Sequence, residues 1–222
     1  MRYGVLYLWI VLATSVLFGL GCGKKAGDQM DAGRLEGSVY HNDYLGLGIT
    51  LPADWHIQDP QSVQEGVETG EKIIAGRNEN MRVAMEAGKS KTVNLVTAFK
   101  HPMGAPVAYN PQINCVAEDV SHLPGIQTGG DYLFHARRLL ESGQMKFSFP
   151  RDVYIETFSG VEFHVLTAEL ALLPTKVVTN EYYATVRKGY TLLFILSYST
   201  PEERTELRNI LTAMTLTSLA KP

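Results

Sequence analysis

Few groupings in this chain could carry chemistry. Asp119, Ser121 and His122 stand together in "EDVSH", the residue types of a carboxylate, a nucleophile and a base. On an extended chain, however, neighbouring side chains point to opposite faces, so Ser121 and His122 cannot share a relay bond there. Six histidines, His41, His56, His101, His122, His135 and His164, never fall at the spacing that sets two ligands on one helix face or one strand face. G-x-S-x-G, P-loop, H-E-x-x-H and C-x-x-C patterns do not occur, and each of these places a reactive group where its chemistry needs it. The expectation is a protein that is not an enzyme, with no catalytic residues, no metal site and no cofactor. Tyr182, Tyr183, Tyr190 and Tyr198 gather in the last hairpin. Aromatic rings with a polar tip often mark a contact surface, but core and sheet-rim packing is the role expected of these four.

Cys22 carries the clearest chemical reading. It follows an apolar run over residues 5–20, interrupted by Thr14 and Ser15 and preceded by Arg2, the pattern of a signal peptide. A membrane-spanning helix needs about 20 apolar residues, and this run breaks at Gly19, Gly21 and Gly23. Residues 1–21 are therefore read as the signal peptide, with an ordinary secretory signal and an uncleaved anchor as the alternatives. Gly21 before Cys22 resembles the bacterial lipobox, in which a peptidase cleaves before a cysteine already carrying diacylglycerol. Gly19 departs from the usual leucine of that pattern, which here stands one place later as Leu20. The resemblance implies that Cys22 is the lipidation site and the mature N-terminus. More than one palmitate-type chain is expected, because each buried methylene contributes about 0.8 kcal/mol and a single chain anchors only reversibly.

Residues 22–37 hold four glycines and only scattered apolar side chains, which reads as a lipidated flexible tether. Lys24 and Lys25 are placed to meet anionic headgroups, or simply water. With Cys22 lipidated, Cys115 has no partner for an intramolecular disulfide. It shares a strand face with Ile113 and is expected to pack as a small hydrophobe.

The remaining span, 38–218, suits one domain. Lysine and arginine number 20 against 23 aspartates and glutamates, a net charge of −3, so the basic footprint of a nucleic-acid binder is missing and no nucleic-acid partner is expected. "GLGITLP", "TVNLVTAFK", "QINCVAEDV", "DVYIETF", "VEFHVLTAELAL", "NEYYATV" and "YTLLFILSYS" have the length and β-branched or aromatic content of strands. Ser159-Gly160 and Lys188-Gly189 read as hairpin turns that force antiparallel neighbours. Residues 190–196 are apolar on both faces and predict a central strand covered on both sides. In "STPEERTELRNILTAM", Thr200, Pro201 and Glu203 form a capping box, followed by Leu207, Ile210, Leu211 and Met214 on one helical face. "GGDYLFHARRLLESG" predicts a helix with Asp131 near its start, Leu133, Ala136 and Leu140 on one face and Gly143 as its stop. "NENMRVAMEAG" sets Met81, Ala84 and Met85 in register, and Gly66 and Gly70 weaken a further helix after Asp59-Pro60. The fold class expected is α+β, an antiparallel sheet flanked by helices on both faces.

In this order, "YHNDYLGLGITLPADW", "NPQINCVAEDV" and "NEYYATVRKGYTLLFILSYSTPEERTELRNIL" resemble the PsbP-like family, named for an extrinsic subunit of photosystem II, over about residues 37–217. The resemblance implies a sheet flanked by helices in a protein that docks on a larger assembly and performs no known reaction. Fold does not by itself fix function. The function expected is that of a membrane-anchored cell-envelope lipoprotein whose non-catalytic domain binds or stabilises a membrane-associated protein assembly. A periplasmic carrier of a small molecule or lipid is the alternative, and it requires an apolar pocket between sheet and helix. In enterobacterial lipoproteins an aspartate after the lipidated cysteine retains the protein at the inner membrane. By that resemblance Gly23 favours the outer membrane, facing the periplasm.

Overall fold

The computed structural model describes residues 30–173 and 176–217. The signal segment 1–21, Cys22, residues 23–29 and the side chain of Ala84 lie outside them. The strands in chain order are β1 (Arg34–Glu36), β2 (Val39–Asn42), β3 (Leu47–Thr50), β4 (His56–Ile57), β5 (Thr92–Phe99), β6 (Gln112–Asp119), β7 (Phe147–Ser148), β8 (Tyr154–Phe158), β9 (Val161–Leu173), β10 (Lys176–Arg187), β11 (Tyr190–Tyr198) and β12 (Thr215–Leu216). The helices are α1 (Pro60–Ala75), α2 (Glu79–Lys89), α3 (Gly129–Ser142) and α4 (Pro201–Ala213).

The large sheet is antiparallel in order β4-β5-β6-β11-β10-β9-β7, with β8 also paired to β9. All nine residues of β11 are buried, which answers its apolar sequence, since a strand with two apolar faces must be covered twice. Alternation along the strand divides the core. Leu192, Phe194 and Leu196 face α4 and the small sheet, together with Tyr183, Leu207, Ile210 and Leu211. Leu193 and Ile195 face the α1–α3 layer, together with Tyr182, Leu133, Ala136, Leu140 and Met85. Helices thus flank the sheet on both faces. The small sheet, β1-β2-β3-β12, completes the α4 side.

Local chemistry sets the joins. Ser159 and Gly160 both have positive φ, 49° and 74°, as do Lys188 and Gly189, 51° and 80°, the conformation of a tight two-residue hairpin turn. Thr200 with Glu203, and Thr128 with Asp131, form reciprocal capping boxes at α4 and α3. Gly143 ends α3, with φ −71°. α1 runs through Gly66 and Gly70 after an Asp59 cap that accepts from the Gln61 and Ser62 amides.

Residues 30–37 depart from the expected tether. Met30 is only 7% exposed, and β1 pairs with β2 from Arg34↔His41 to Glu36↔Val39. The Tyr40 hydroxyl donates to the Ala32 carbonyl at 2.8 Å, and Asn42 Nδ2 to that of Asp31 at 3.0 Å. The fold therefore includes residues from Met30 onward, before the expected boundary at 38.

Gly129 sits where α3 meets β10, and a Cβ there would lie 1.9 Å from the Ala184 carbonyl oxygen. Helix propensity alone would favour alanine by up to about 1 kcal/mol. The backbone clash reverses that sign, so Gly129→Ala should lower the thermal midpoint, with a cost of about 1–3 kcal/mol, read from denaturant titration.

Candidate functional site

The groupings noticed in the sequence come to rest in structural roles. The Ser121 amide and hydroxyl both donate to Asp119 Oδ1, at 3.0 and 2.6 Å, which closes the turn leaving β6. His122 is exposed beside it and takes no part in that pair. Cys115 is fully buried on the same side as Ile113 and Ala117, and burial pushes its thiol pKa well up, away from reactivity. Tyr182 lies in the core on the α1–α3 side, while Tyr183, Tyr190 and Tyr198 lie in the core on the α4 side. All four are buried, so they pack the sheet and do not form a contact surface. Among the described residues no group of three or more His, Cys, Asp or Glu side chains could hold a metal ion. No helix among them is long and apolar enough to cross a membrane.

A polar network that no local sequence pattern announces fastens α4 to the sheet. Glu181 of β10, whose side chain is 2% exposed, receives Arg204 Nε at 2.9 Å and Nη2 at 2.8 Å on one oxygen. The Tyr183 hydroxyl donates to its other oxygen at 2.8 Å. Arg208, one helical turn beyond Arg204, donates to the Tyr183 oxygen at 2.8 Å and grips Glu156 of β8 bidentately at 3.0 and 2.7 Å. Arg151 lies with its guanidinium 3.5 Å from the centroid of the Tyr154 ring. Desolvation, then the Glu181 carboxylate, pushes the Tyr183 hydroxyl far above its ordinary pKa. Together these bonds clamp α4 to the sheet.

Clefts open at several places among the described residues. The first, about 500 Å³, opens between the β3–β4 connection and α4. Pro52, Trp55, Ile210 and Ala213 give it an apolar lining, and Lys100 joins Glu206 across it at 2.7 Å. Trp55 is set there by a tight reversal, its amide donating to the Pro52 carbonyl at 3.0 Å. The second, about 650 Å³, lies beside the start of α3, where β9 and β10 diverge beyond the His164↔Ala184 pair. The third, between α1–α2 and β5, measures about 100 Å³, where a small-molecule pocket takes about 300 Å³ or more. An apolar floor containing a tryptophan, rimmed by charge, suits contact with a protein surface. The first cleft is therefore the candidate site.

Glu156 shows how the clamp depends on pH. Desolvation opposes its ionisation, but the Arg208 bonds and charge outweigh that and hold its pKa below the ordinary value. A carboxyl lowered in the fold adds stability above its unfolded pKa, about 4.3, and loses it as the pH falls through the lowered value. Arg208→Met should therefore cost about 2 kcal/mol at pH 7, and the deficit against wild type should shrink by about pH 3, measured by urea unfolding at both pH values.

No family model and no curated protein matches the chain. Among solved structures, the chain is similar to cyanobacterial PsbP from Synechocystis sp. PCC 6803, with 12% identity, a TM-score of 0.48, and coverage of 89% of this chain and 99% of that one. It is also similar to LpqN, described as involved in cell envelope biogenesis of Mycobacterium tuberculosis, with 13% identity, a TM-score of 0.42, and coverage of 78% and 83%. A Pseudomonas aeruginosa protein of unknown function matches at 14% identity with a TM-score of 0.37, covering 59% of this chain and 82% of its own. These are likenesses of fold.

Proposed function

We propose that this chain is an exported cell-envelope protein, held to a membrane through lipid on Cys22, whose non-catalytic domain binds a membrane-associated protein assembly through the Trp55 cleft. The observation that carries the reading is the arrangement of the two ends of β3. At the Leu47 end lie Asn42 and, hydrogen-bonded to it, Asp31, where the chain arrives from Cys22. Beyond the Thr50 end lie Pro52 and Trp55. The anchor thus enters at one end of the small sheet, and the apolar cleft opens at the other.

Met30 follows Cys22 by eight residues, and a fully extended chain of that length spans about 29 Å at most. Such a leash keeps the domain close to the lipid surface and leaves the Trp55 cleft to meet a partner lying alongside. Delivery to the outer membrane, facing the periplasm, is part of the same proposal.

The test is photo-cross-linking in intact bacteria from a reactive residue at Asn209, which is exposed and lines the cleft, with Phe134 on α3 as the control position. A discrete protein adduct from position 209 and none from 134 is expected. Trp55→Ala should weaken it by about 30-fold or more if Trp55 is a central contact. An absence of adducts at 209, or the same adducts from both positions, would contradict the proposal.

A further inference from the structure

Arg187 is a buried cation that the clamp does not use. It closes β10, is 6% exposed, and makes no ion pair among the described residues. One of its nitrogens, Nη2, donates to the Thr217 carbonyl at 2.8 Å, while its buried Nε has no partner. A guanidinium carries five donors, and a buried charge is costly unless an opposite charge meets it. The carboxylate of Asp43, in the turn after β2, is engaged by Arg34 at 2.6 Å, and Asp31 Oδ1 accepts the Gly33 amide.

Lys188 stands next to Arg187, exposed, at the first position of the hairpin turn with φ 51°. A lysine in the left-handed region is unusual and marks a backbone held by its surroundings. Its ammonium donates to the Tyr44 carbonyl at 2.6 Å and sits 4.8 Å from the Tyr44 ring centroid, and that ring packs edge-on to Tyr190. The corner is tied to the chain entrance by a continuous set of contacts. Asp31 bonds Asn42, Asn42 begins the turn that carries Tyr44 and Gly46, and the Thr217 amide bonds the Gly46 carbonyl at 2.9 Å.

We infer that Arg187 and Lys188 form a site for the phosphate of membrane lipid headgroups, seating this corner of the domain on an anionic bilayer. The inference rests on the anchor proposed above. Arg187 supplies the planar donor set that phosphate prefers. Lys188 supplies a second positive charge with spare donors, and the half-buried Tyr44 ring provides an amphipathic neighbour of the kind favoured at headgroup depth. The short chain from Cys22 delivers this corner to the surface.

The experiment uses the full lipidated chain in vesicles of phosphatidylcholine alone or mixed in equal parts with phosphatidylglycerol. A fluorophore on Ser121→Cys, whose side chain lies against Gly189, reports approach to nitroxide-labelled headgroups. Cys115 is sealed in the core, so labelling is selective. Quenching should rise in the anionic vesicles and fall about fivefold for each cation removed, by Lys188→Asn or Arg187→Gln. Inorganic phosphate should release the corner more effectively than chloride at equal ionic strength. Should Arg187→Gln melt early, Lys188→Asn carries the test, since asparagine tolerates the left-handed turn. A chain that floats with vesicles while its probe ignores lipid charge and phosphate overturns this inference alone. A chain that does not float overturns the anchor and this inference together.

Discussion

The fold depends on the double burial of β11. Its side chains are apolar on both faces, so no arrangement that leaves one side of the sheet wet is open to this sequence. Two covers follow from that constraint. α1, α2 and α3 occupy one face, and α4 with the small sheet occupies the other. The second cover is assembled from distant parts of the chain, with β1–β3 from its beginning and α4 and β12 from its end. Such a cover needs fastening, which gives the Arg204–Glu181 and Arg208–Glu156 pairs their place. They hold a helix whose apolar stripe alone is narrow, and they do so with partners that a sheet face would otherwise bury at a cost.

Much of this was legible in the sequence because it is written locally. The capping box of Thr200, the glycine hairpins and the two-faced apolar run each depend on residues a few places apart. Residues 30–37 were not legible for the opposite reason. Their order comes from backbone pairing with β2 and from Tyr40 and Asn42 reaching main-chain carbonyls, while Leu35 stays 47% exposed. A polar strand held by its neighbour looks, by composition, like a linker. Tyr182 and Tyr183 illustrate a signal present but easily misread. Adjacent strand residues face opposite ways, so two tyrosines in a row cannot belong to one contact surface. The clamp was illegible because its residues come from β8, β10 and α4 and meet only in space.

The candidate site was half legible. Trp55, after a proline and a turn, packs into the core, and its cleft is completed by Ile210 and Ala213 from α4, more than 150 residues later. Arg187 gave no sequence signal at all, since its distinction is the lack of a counter-ion among the described residues in a buried place. Together these features give the domain a direction. In the proposed arrangement one corner, with Arg187, Lys188 and the chain entrance, faces the anchor. The apolar cleft belongs at the other end of β3.

That direction has meaning only if the chain is tethered at Cys22, so the most direct measurement is the intact mass and N-terminal sequence of the mature protein purified from bacterial membranes. The account predicts a chain that starts at Cys22 and carries a diacylglycerol-derived mass on that residue. A mature chain that starts elsewhere, or an unmodified Cys22, would contradict it.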